Sequence, residues 1–184
     1  MLKSDILLGP DEIKGILNEL VRKLQERIRP LDDVAFIGIR EGGEYVARAL
    51  DGMLKEDKGF SLPLGLLDIS FYRDDISKRS FYPEIKSTKI PFDVDGKQIV
   101  LVDDVLNTGR SVRAAIEQIV DLGRPRRIYL LVLFDRGGRE LPIQPDFVGK
   151  DIELSPDKIV KIEGAGDGSV GKAVITGVKN DLDA

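Results

Sequence analysis

The chain has 184 residues, of which 42% are hydrophobic, so it is long enough for one α/β domain with a substantial buried core. Its formal net charge of −4 excludes the overall basic character of an obligate nucleic-acid binder, although a local basic face is still allowed. The absence of cysteine and histidine excludes disulfides, thiolate metal sites and a histidine general base. Any chemistry must therefore use carboxylates, cations, backbone groups and a metal ion brought by a ligand.

The sequence shows no apolar run of membrane-spanning length and no recognisable secretory signal, so we expect a cytoplasmic protein. A short apolar piece at residues 6–8 is followed by Gly9, Pro10 and two acids, which predict the start of a helix. The cations of this helix form either a solvated face, which we prefer, or a contact with nucleic acid. They are Arg22, Lys23, Arg27 and Arg29.

Residues 34–39 predict a buried strand, and the loop after it reads Arg40-Glu41-Gly42-Gly43 before a second helix. Two glycines directly after a strand let the backbone approach an anion closely, although the same pair also suits an ordinary turn. Residues 62–67 predict a third strand. The polar segment 74–91 shows no sustained periodicity, and we interpret it as part of a mobile lid loop spanning about residues 70–90.

The stretch 98–111 carries the strongest chemical signal. Its apolar start predicts a buried strand that ends at Asp103 and Asp104, and helical spacing resumes after a short loop. A loop entering a helix presents unpaired N–H groups to phosphate, and the carboxylates can accept hydrogen bonds from ribose hydroxyls or approach magnesium. The alternative is a polar turn in which Asn107 or Thr108 only caps the helix.

A further buried strand is predicted at residues 128–134, and a polar loop follows it from Asp135. Ligands of open α/β sheets bind outside the carboxyl ends of the strands, so the loops after the predicted strands should converge on one site. Apolar segments at 159–162 and 173–176 predict a closing hairpin within about residues 155–180. We expect this hairpin to cover one end of the pocket.

The string from Val100 to Ser111 resembles the phosphoribosyl diphosphate signature of the type I phosphoribosyltransferases. Further motifs are similar to the bifunctional pyrimidine-operon attenuation regulators that are also uracil phosphoribosyltransferases, the PyrR family. These motifs are residues 68–77, 122–125, 135–143 and 146–150. The resemblance implies a single α/β domain over residues 1–184, with a central, mostly parallel sheet flanked by helices, a small hood formed by the hairpin, and the lid loop.

The same resemblance implies magnesium-dependent transfer of phosphoribose from phosphoribosyl diphosphate to uracil, giving UMP and pyrophosphate. Asp103 and Asp104 would hold the ribose hydroxyls, with either one a candidate contact for magnesium carried by the diphosphate. Arg73 would close over the diphosphate from the lid, and the loop from Arg40 to Gly43 would receive it. The implied 5-phosphate ligands are Val105, Leu106, Asn107, Thr108, Gly109, Arg110 and Ser111. The implied base ligands are Asp135, Arg136, Gly137, Gly138 and Arg139.

The family resemblance also implies regulation through a pyrimidine-operon leader RNA, and assembly as a homodimer or homotetramer. The candidate RNA contacts are Arg22, Lys23, Arg27 and Arg139. In the first helix, however, the family usually carries Thr-Arg and a His where this chain has Asn18, Glu19 and Arg22. The acidic replacement disfavours family-like RNA binding.

The chain departs from the family pattern at three further sites. The diphosphate loop usually reads Thr-Arg-Gly where this chain has Glu41-Gly42-Gly43, and the lost charged hydrogen bond would cost about 1.5–3 kcal/mol. Tyr is usual at Asn107, and His is usual at Gly138. Two hypotheses stay open: a uracil phosphoribosyltransferase of reduced rate, or a catalytically weak, nucleotide-sensing RNA-binding attenuator. A relative that uses another base is disfavoured by the motifs around Arg136 and Asp146.

Overall fold

The computed structural model describes residues 5–40, 42–69, 88–165 and 170–177. The elements in chain order are β1 (Asp5–Leu8), α1 (Pro10–Arg27), β2 (Val34–Ile39), α2 (Gly42–Lys58), β3 (Leu64–Leu67), β4 (Gln98–Leu106), α3 (Arg110–Leu122), β5 (Arg127–Asp135), β6 (Phe147–Asp151), β7 (Lys158–Gly164) and β8 (Val170–Gly177). A five-stranded parallel sheet has the order β3-β2-β4-β5-β6. A smaller antiparallel sheet, the hood, has the order β1-β8-β7.

The central sheet is buried on both faces because successive side chains of its strands enter two different apolar clusters. In β2, Val34 and Phe36 belong to the cluster that includes α1, α2 and the hood. Ala35 and Ile37 belong to the cluster that includes α3. The helices therefore cover both faces, and the carboxyl edge of the sheet is left for loops. None of the described helices is long and apolar enough to cross a membrane.

The predicted end of the central strand at the paired carboxylates is wrong. Strand β4 continues to Leu106, and its parallel register with β5 pairs Asp103 with Val132 and Leu106 with Asp135. Since β4 lies between β2 and β5, backbone pairing with a neighbour extends the strand through the polar residues. The two carboxylates therefore lie near the end of a strand and not in a loop.

The third strand begins at Leu64, two residues later than predicted, and β6 is a strand that the sequence pattern did not identify. The predicted hairpin is confirmed by the antiparallel pairing of β7 with β8, in which Ile162 lies opposite Ala173. Its partner β1 was not predicted: Ile6 pairs with Val174, so the first described residues complete the hood.

Candidate active site

The sequence predicted that the loops after four strands converge, and the loop after β3 lies mostly outside the described residues. The other three meet at the carboxyl edge of the sheet. They follow the adjacent strands β2, β4 and β5, which run parallel in register. We call residues 40–43 the glycine loop, residues 105–111 the phosphate loop and residues 135–143 the base loop. The loop predicted to run to Gly43 ends earlier, because Gly42 and Gly43 are the first residues of α2. Two of the predicted site residues, Glu41 and Arg73, lie outside the described residues, as does most of the predicted lid.

The carboxylates of β4 lie on alternate sides of the strand. Asp103 is only 7% exposed, and its Oδ1 accepts a hydrogen bond of 3.0 Å from the N–H of Asp104. Asp104 is less buried and reaches the amino end of α2, because a Cβ added to Gly42 would collide with the carboxylate and lie 2.8 Å from the Cβ of Asp104. The positive end of the α2 dipole favours a negative charge at this position.

The two glycines of the glycine loop lie so close to β4 that a side chain is excluded at either position. A Cβ at Gly43 would lie 3.0 Å from the Cα of Asp103, closer than ordinary van der Waals contact. Nη1 of Arg40 lies 3.5 Å from Glu44 of α2. Its buried Nε has no hydrogen-bond partner within the described residues. Gly43 is therefore required by the approach of two backbones, and Gly42 by the approach of the Asp104 side chain.

The phosphate loop turns directly into α3. Gly109 has φ +91°, a conformation that glycine adopts at little cost, and its carbonyl accepts the N–H of Arg113 at 2.9 Å. The first turn of α3 contains no acidic residue, so its N–H groups and the positive end of its dipole remain suited to an anion. Arg110, at the first position of the helix, also pairs with Glu140 of the base loop at 2.6 Å.

The base loop contributes to a cleft of about 610 Å³. Its lining residues are Asp135, Arg136, Gly137, Arg139, Gln144, Asp151, Ile152 and Glu153. The last four were missed by sequence reasoning because β6, which delivers three of them to the same sheet edge, was not identified. Arg136 donates hydrogen bonds to the carbonyls of Lys158 at 3.0 Å and Ser155 at 3.5 Å, so the start of the hood lies beside this cleft.

The pKa of Asp135 is lowered from its usual value. Burial is the largest single influence and acts to raise this pKa, but the hydrogen bonds from Arg139 and from the N–H of Gly137, at 2.9 Å for the latter, together outweigh it. Asp135 is therefore a carboxylate that accepts hydrogen bonds inside the base loop. This arrangement does not provide a protonated acid for catalysis.

Two departures from the family pattern meet in one contact. A Cβ at Gly138, which has φ +71°, would lie 2.6 Å from Oδ1 of Asn107. A side chain at Gly138 would therefore need the end of the Asn107 side chain to move. The loops are thus locally consistent despite differing from the usual Tyr and His.

Three of the four predicted RNA contacts lie on α1, and each is paired with a neighbouring group. Arg22 pairs with Glu26 and, at 2.6 Å, with Glu19, and its hydrogen bond lowers the pKa of Glu19. Arg27 pairs with Asp146 at 2.6 Å and its guanidinium lies 5.4 Å from the ring centre of Phe147. Lys23 donates to the carbonyl of Val148 at 3.3 Å. These three cations on the outer face of α1 are therefore paired with acids or carbonyls and do not form an unpaired cationic surface.

The donor set at the sheet edge fits a magnesium ion that arrives with a substrate. Among the described residues, no group of three or more His, Cys, Asp or Glu side chains converges as a metal site. Asp103 and Asp104 lie on alternate sides of β4, so one carboxylate at a time can approach an ion whose other ligands are diphosphate and water oxygens. Magnesium is commonly bound in this way, through one or two carboxylates plus phosphates.

Comparison with known proteins agrees with this geometry. Residues 6–167 match the phosphoribosyl transferase domain family. The chain is 44% identical over 161 residues to the bifunctional protein PyrR of Thermus aquaticus, covering 88% of each chain. It is 46% identical over 156 residues to the bifunctional protein PyrR of Chloroflexus aurantiacus, covering 85% of this chain and 86% of that one. The chain belongs to the phosphoribosyltransferase family.

Within that family it is a member of the PyrR proteins, and the resemblance stated from the sequence is confirmed. Among solved structures, a hypoxanthine-guanine phosphoribosyltransferase of Bacillus anthracis has a TM-score of 0.69 at 16% identity, covering 97% of this chain and 99% of that one. A hypoxanthine phosphoribosyltransferase of Trypanosoma cruzi has a TM-score of 0.68 at 17% identity, covering 100% and 98%. These distant structures confirm the type I phosphoribosyltransferase fold.

Proposed function

We propose that the chain transfers phosphoribose from phosphoribosyl diphosphate to uracil, forming UMP and pyrophosphate. The observation that carries this proposal is the meeting of three complementary subsites at the carboxyl edge of β2, β4 and β5. The first turn of α3, which follows Gly109, contains no acidic residue and suits a phosphate. Two carboxylates lie in the last residues of β4, and a polar cleft adjoins the base loop. A nucleoside 5-monophosphate presents phosphate, ribose hydroxyls and base in the same order.

The chemistry requires positioning and electrostatics more than proton transfer. The N1 atom of uracil forms a bond to C1′ of the ribose while the bond from C1′ to the diphosphate oxygen breaks, and its electron pair leaves with pyrophosphate. The N1 proton passes to water. As positive charge develops on the ribose, Asp103 and Asp104 would orient its hydroxyls and stabilise that charge. A chain without histidine can support this reaction.

Magnesium, when bound to the diphosphate, neutralises part of the leaving group's charge, and Asp103 or Asp104 would hold it from the protein side. Gly42 and Gly43, at the amino end of α2, would offer their backbone N–H groups to the same diphosphate. Since the usual cation of the glycine loop is absent, we expect the loss to appear mainly in the KM for phosphoribosyl diphosphate, by about 10- to 100-fold relative to an enzyme with that charged hydrogen bond.

The test is formation of labelled UMP from radiolabelled uracil and phosphoribosyl diphosphate by the purified protein. Wild type should produce UMP with magnesium present, and Asp104→Asn should reduce the rate sharply while the protein stays folded at the assay temperature, as checked by circular dichroism. Asp157→Asn, which changes an exposed carboxylate outside the three loops, is the matched control and should retain full activity. Unchanged turnover in Asp104→Asn would contradict the role given to the carboxylates.

As a second function, we propose that the chain binds a pyrimidine-operon leader RNA and acts in attenuation, in the cytoplasm and as a homodimer or homotetramer. The identity of 43–46% to proteins named bifunctional PyrR supports this proposal. Filter binding of a leader hairpin, with and without UMP, would test it. UMP should tighten binding, and affinity should fall with salt. No binding at low salt would reject this function without affecting the transferase proposal.

A further inference from the structure

The base loop is joined to the phosphate loop along three successive carbonyl groups. The backbone N–H of Arg136 donates to the carbonyl of Leu106 at 3.0 Å. The N–H groups of Glu140 and Leu141 both donate to the carbonyl of Thr108, at 3.0 and 3.2 Å. The carbonyl between them, that of Asn107, accepts from a side chain instead.

That side chain is Arg139, whose guanidinium makes four hydrogen bonds inside the protein. Nη1 donates to the carbonyls of Asn107 at 3.0 Å and Gly137 at 3.1 Å, and Nε donates to the carbonyl of Ile143 at 3.0 Å. Nη2 donates a hydrogen bond to the carboxylate of Asp135. The side chain is only 15% exposed, so these bonds are largely shielded from water.

The backbone of the base loop explains why a side chain is needed at this point. Gly137 and Gly138 have φ of +66° and +71°, and the N–H of Gly137 turns back to the carboxylate of Asp135. This double turn lies between the two points, Arg136 and Glu140, at which the backbone of the base loop donates hydrogen bonds to the phosphate loop. The planar guanidinium of Arg139 spans the turn and contacts both of its ends, together with the phosphate loop.

We infer that Arg139 is a positioning residue that fixes the base subsite relative to the 5-phosphate subsite. Its role is to hold the base loop at a fixed position relative to the phosphate loop, and it does not itself recognise uracil or RNA. The inference rests on the proposed function for the identity of the ligand, since UMP occupies both subsites and ribose 5-phosphate occupies only one. The predicted roles of Arg139 in direct base contact and in RNA contact become secondary to this structural linkage.

Lysine cannot replace this arginine in such a role. A guanidinium presents several N–H donors in a fixed plane, whereas an ammonium is a compact charge on a flexible chain. Arg139→Lys keeps the charge beside Asp135 but cannot reach four acceptors around the turn. The base loop should then lose its fixed position relative to the phosphate loop, whereas the phosphate loop is still held by β4 and α3.

The test compares the affinities of UMP and ribose 5-phosphate by calorimetry in wild type, Arg139→Lys and Arg139→Ala. Arg126→Gln is the matched control, because Arg126 is an exposed arginine whose nearest acid, Asp33, is 3.7 Å away. Arg139→Lys should weaken UMP binding by about 10- to 100-fold and leave ribose 5-phosphate binding close to that of wild type. Added guanidinium should restore part of the UMP affinity to Arg139→Ala, and sodium at equal ionic strength should not.

The outcomes separate this inference from the proposed function. Equal weakening of both ligands, or no change in either, would overturn the positioning role. If wild type shows no transfer to uracil, the proposed function fails, but the ratio of the two affinities still tests Arg139. If wild type itself binds UMP no more tightly than ribose 5-phosphate, there is no base subsite for Arg139 to position, and the inference is overturned.

Discussion

Replacing Gly42 by alanine should slow phosphoribosyl transfer far more than it destabilises the fold. The new Cβ would collide with the carboxylate of Asp104 and lie 2.8 Å from its Cβ. Cβ atoms in proteins essentially never lie within 3.0 Å of a non-bonded heavy atom. Rotation of Asp104 would move its carboxylate but not its Cβ, so β4 or the start of α2 must shift as well.

The size of the effect follows from that geometry. Overpacking of this kind typically lowers the free energy of unfolding by about 1–3 kcal/mol. Displacement of a catalytic group by about 1 Å lowers turnover on the order of 100-fold. Steady-state UMP formation and urea unfolding would measure the two quantities. Gly52→Ala is the matched control: it lies in the same helix with nothing within 4 Å, and should add about 0.5–1 kcal/mol of stability without altering turnover.

A double substitution distinguishes collision from other causes. Asp104→Gly removes both the carboxylate and the Cβ, so Gly42→Ala should cost little further stability when it is added to Asp104→Gly, because the two changes are coupled. If Gly42→Ala matches the Gly52→Ala control in both turnover and stability, then Asp104 does not lie against the amino end of α2, and the reasoning is refuted.

Three other changes test the remaining parts of the site. Gly109→Ala should cost about 1–2 kcal/mol of stability and weaken ribose 5-phosphate binding measured by calorimetry; Gly96→Ala has similar backbone strain, with φ +70° and open space around it, and should keep that binding. Because the folded-state pKa of Asp135 lies below its unfolded value, its stabilising effect is present above the unfolded pKa and lost as pH falls through the folded one. Arg139→Gln should therefore weaken the dependence of unfolding on pH below about pH 4, measured by circular dichroism, and an unchanged profile would contradict the pairing. Glu19→Gln combined with Glu26→Gln should free Arg22 from its two ion pairs. The slope of log K for RNA binding against log salt concentration should then become steeper by about one, and an unaltered slope would exclude Arg22 from the interface.

The apolar pattern was sufficient to predict the core of the fold. The six residues of β2 are all buried, and the start of α1 at Pro10 follows from its capping residues. By contrast, β6 contains only two apolar residues, Phe147 and Val148, and forms by pairing with β5, a long-range contact without a local signal. Tertiary pairing decided the element where the local pattern was weak.

The site was predictable in its parts but not in its contacts. The glycine at 109 and the carboxylates of β4 could be recognised from their order along the chain. The approach of Gly42 to Asp104, and that of Gly138 to Asn107, depend on how separate loops cross the sheet edge. Arg139 likewise looked like a ligand-binding cation in the sequence, and only its four acceptors indicate a different role.

The most direct measurement is the rate of nucleotide formation when uracil, orotate, hypoxanthine and guanine are each supplied with phosphoribosyl diphosphate and magnesium. The proposed site should convert uracil to UMP at a rate well above that for the other three bases, even with a high KM for the diphosphate. Preferential formation of IMP, GMP or orotidine monophosphate, or no nucleotide from any base at saturating diphosphate, would contradict the assignment of this site to uracil transfer.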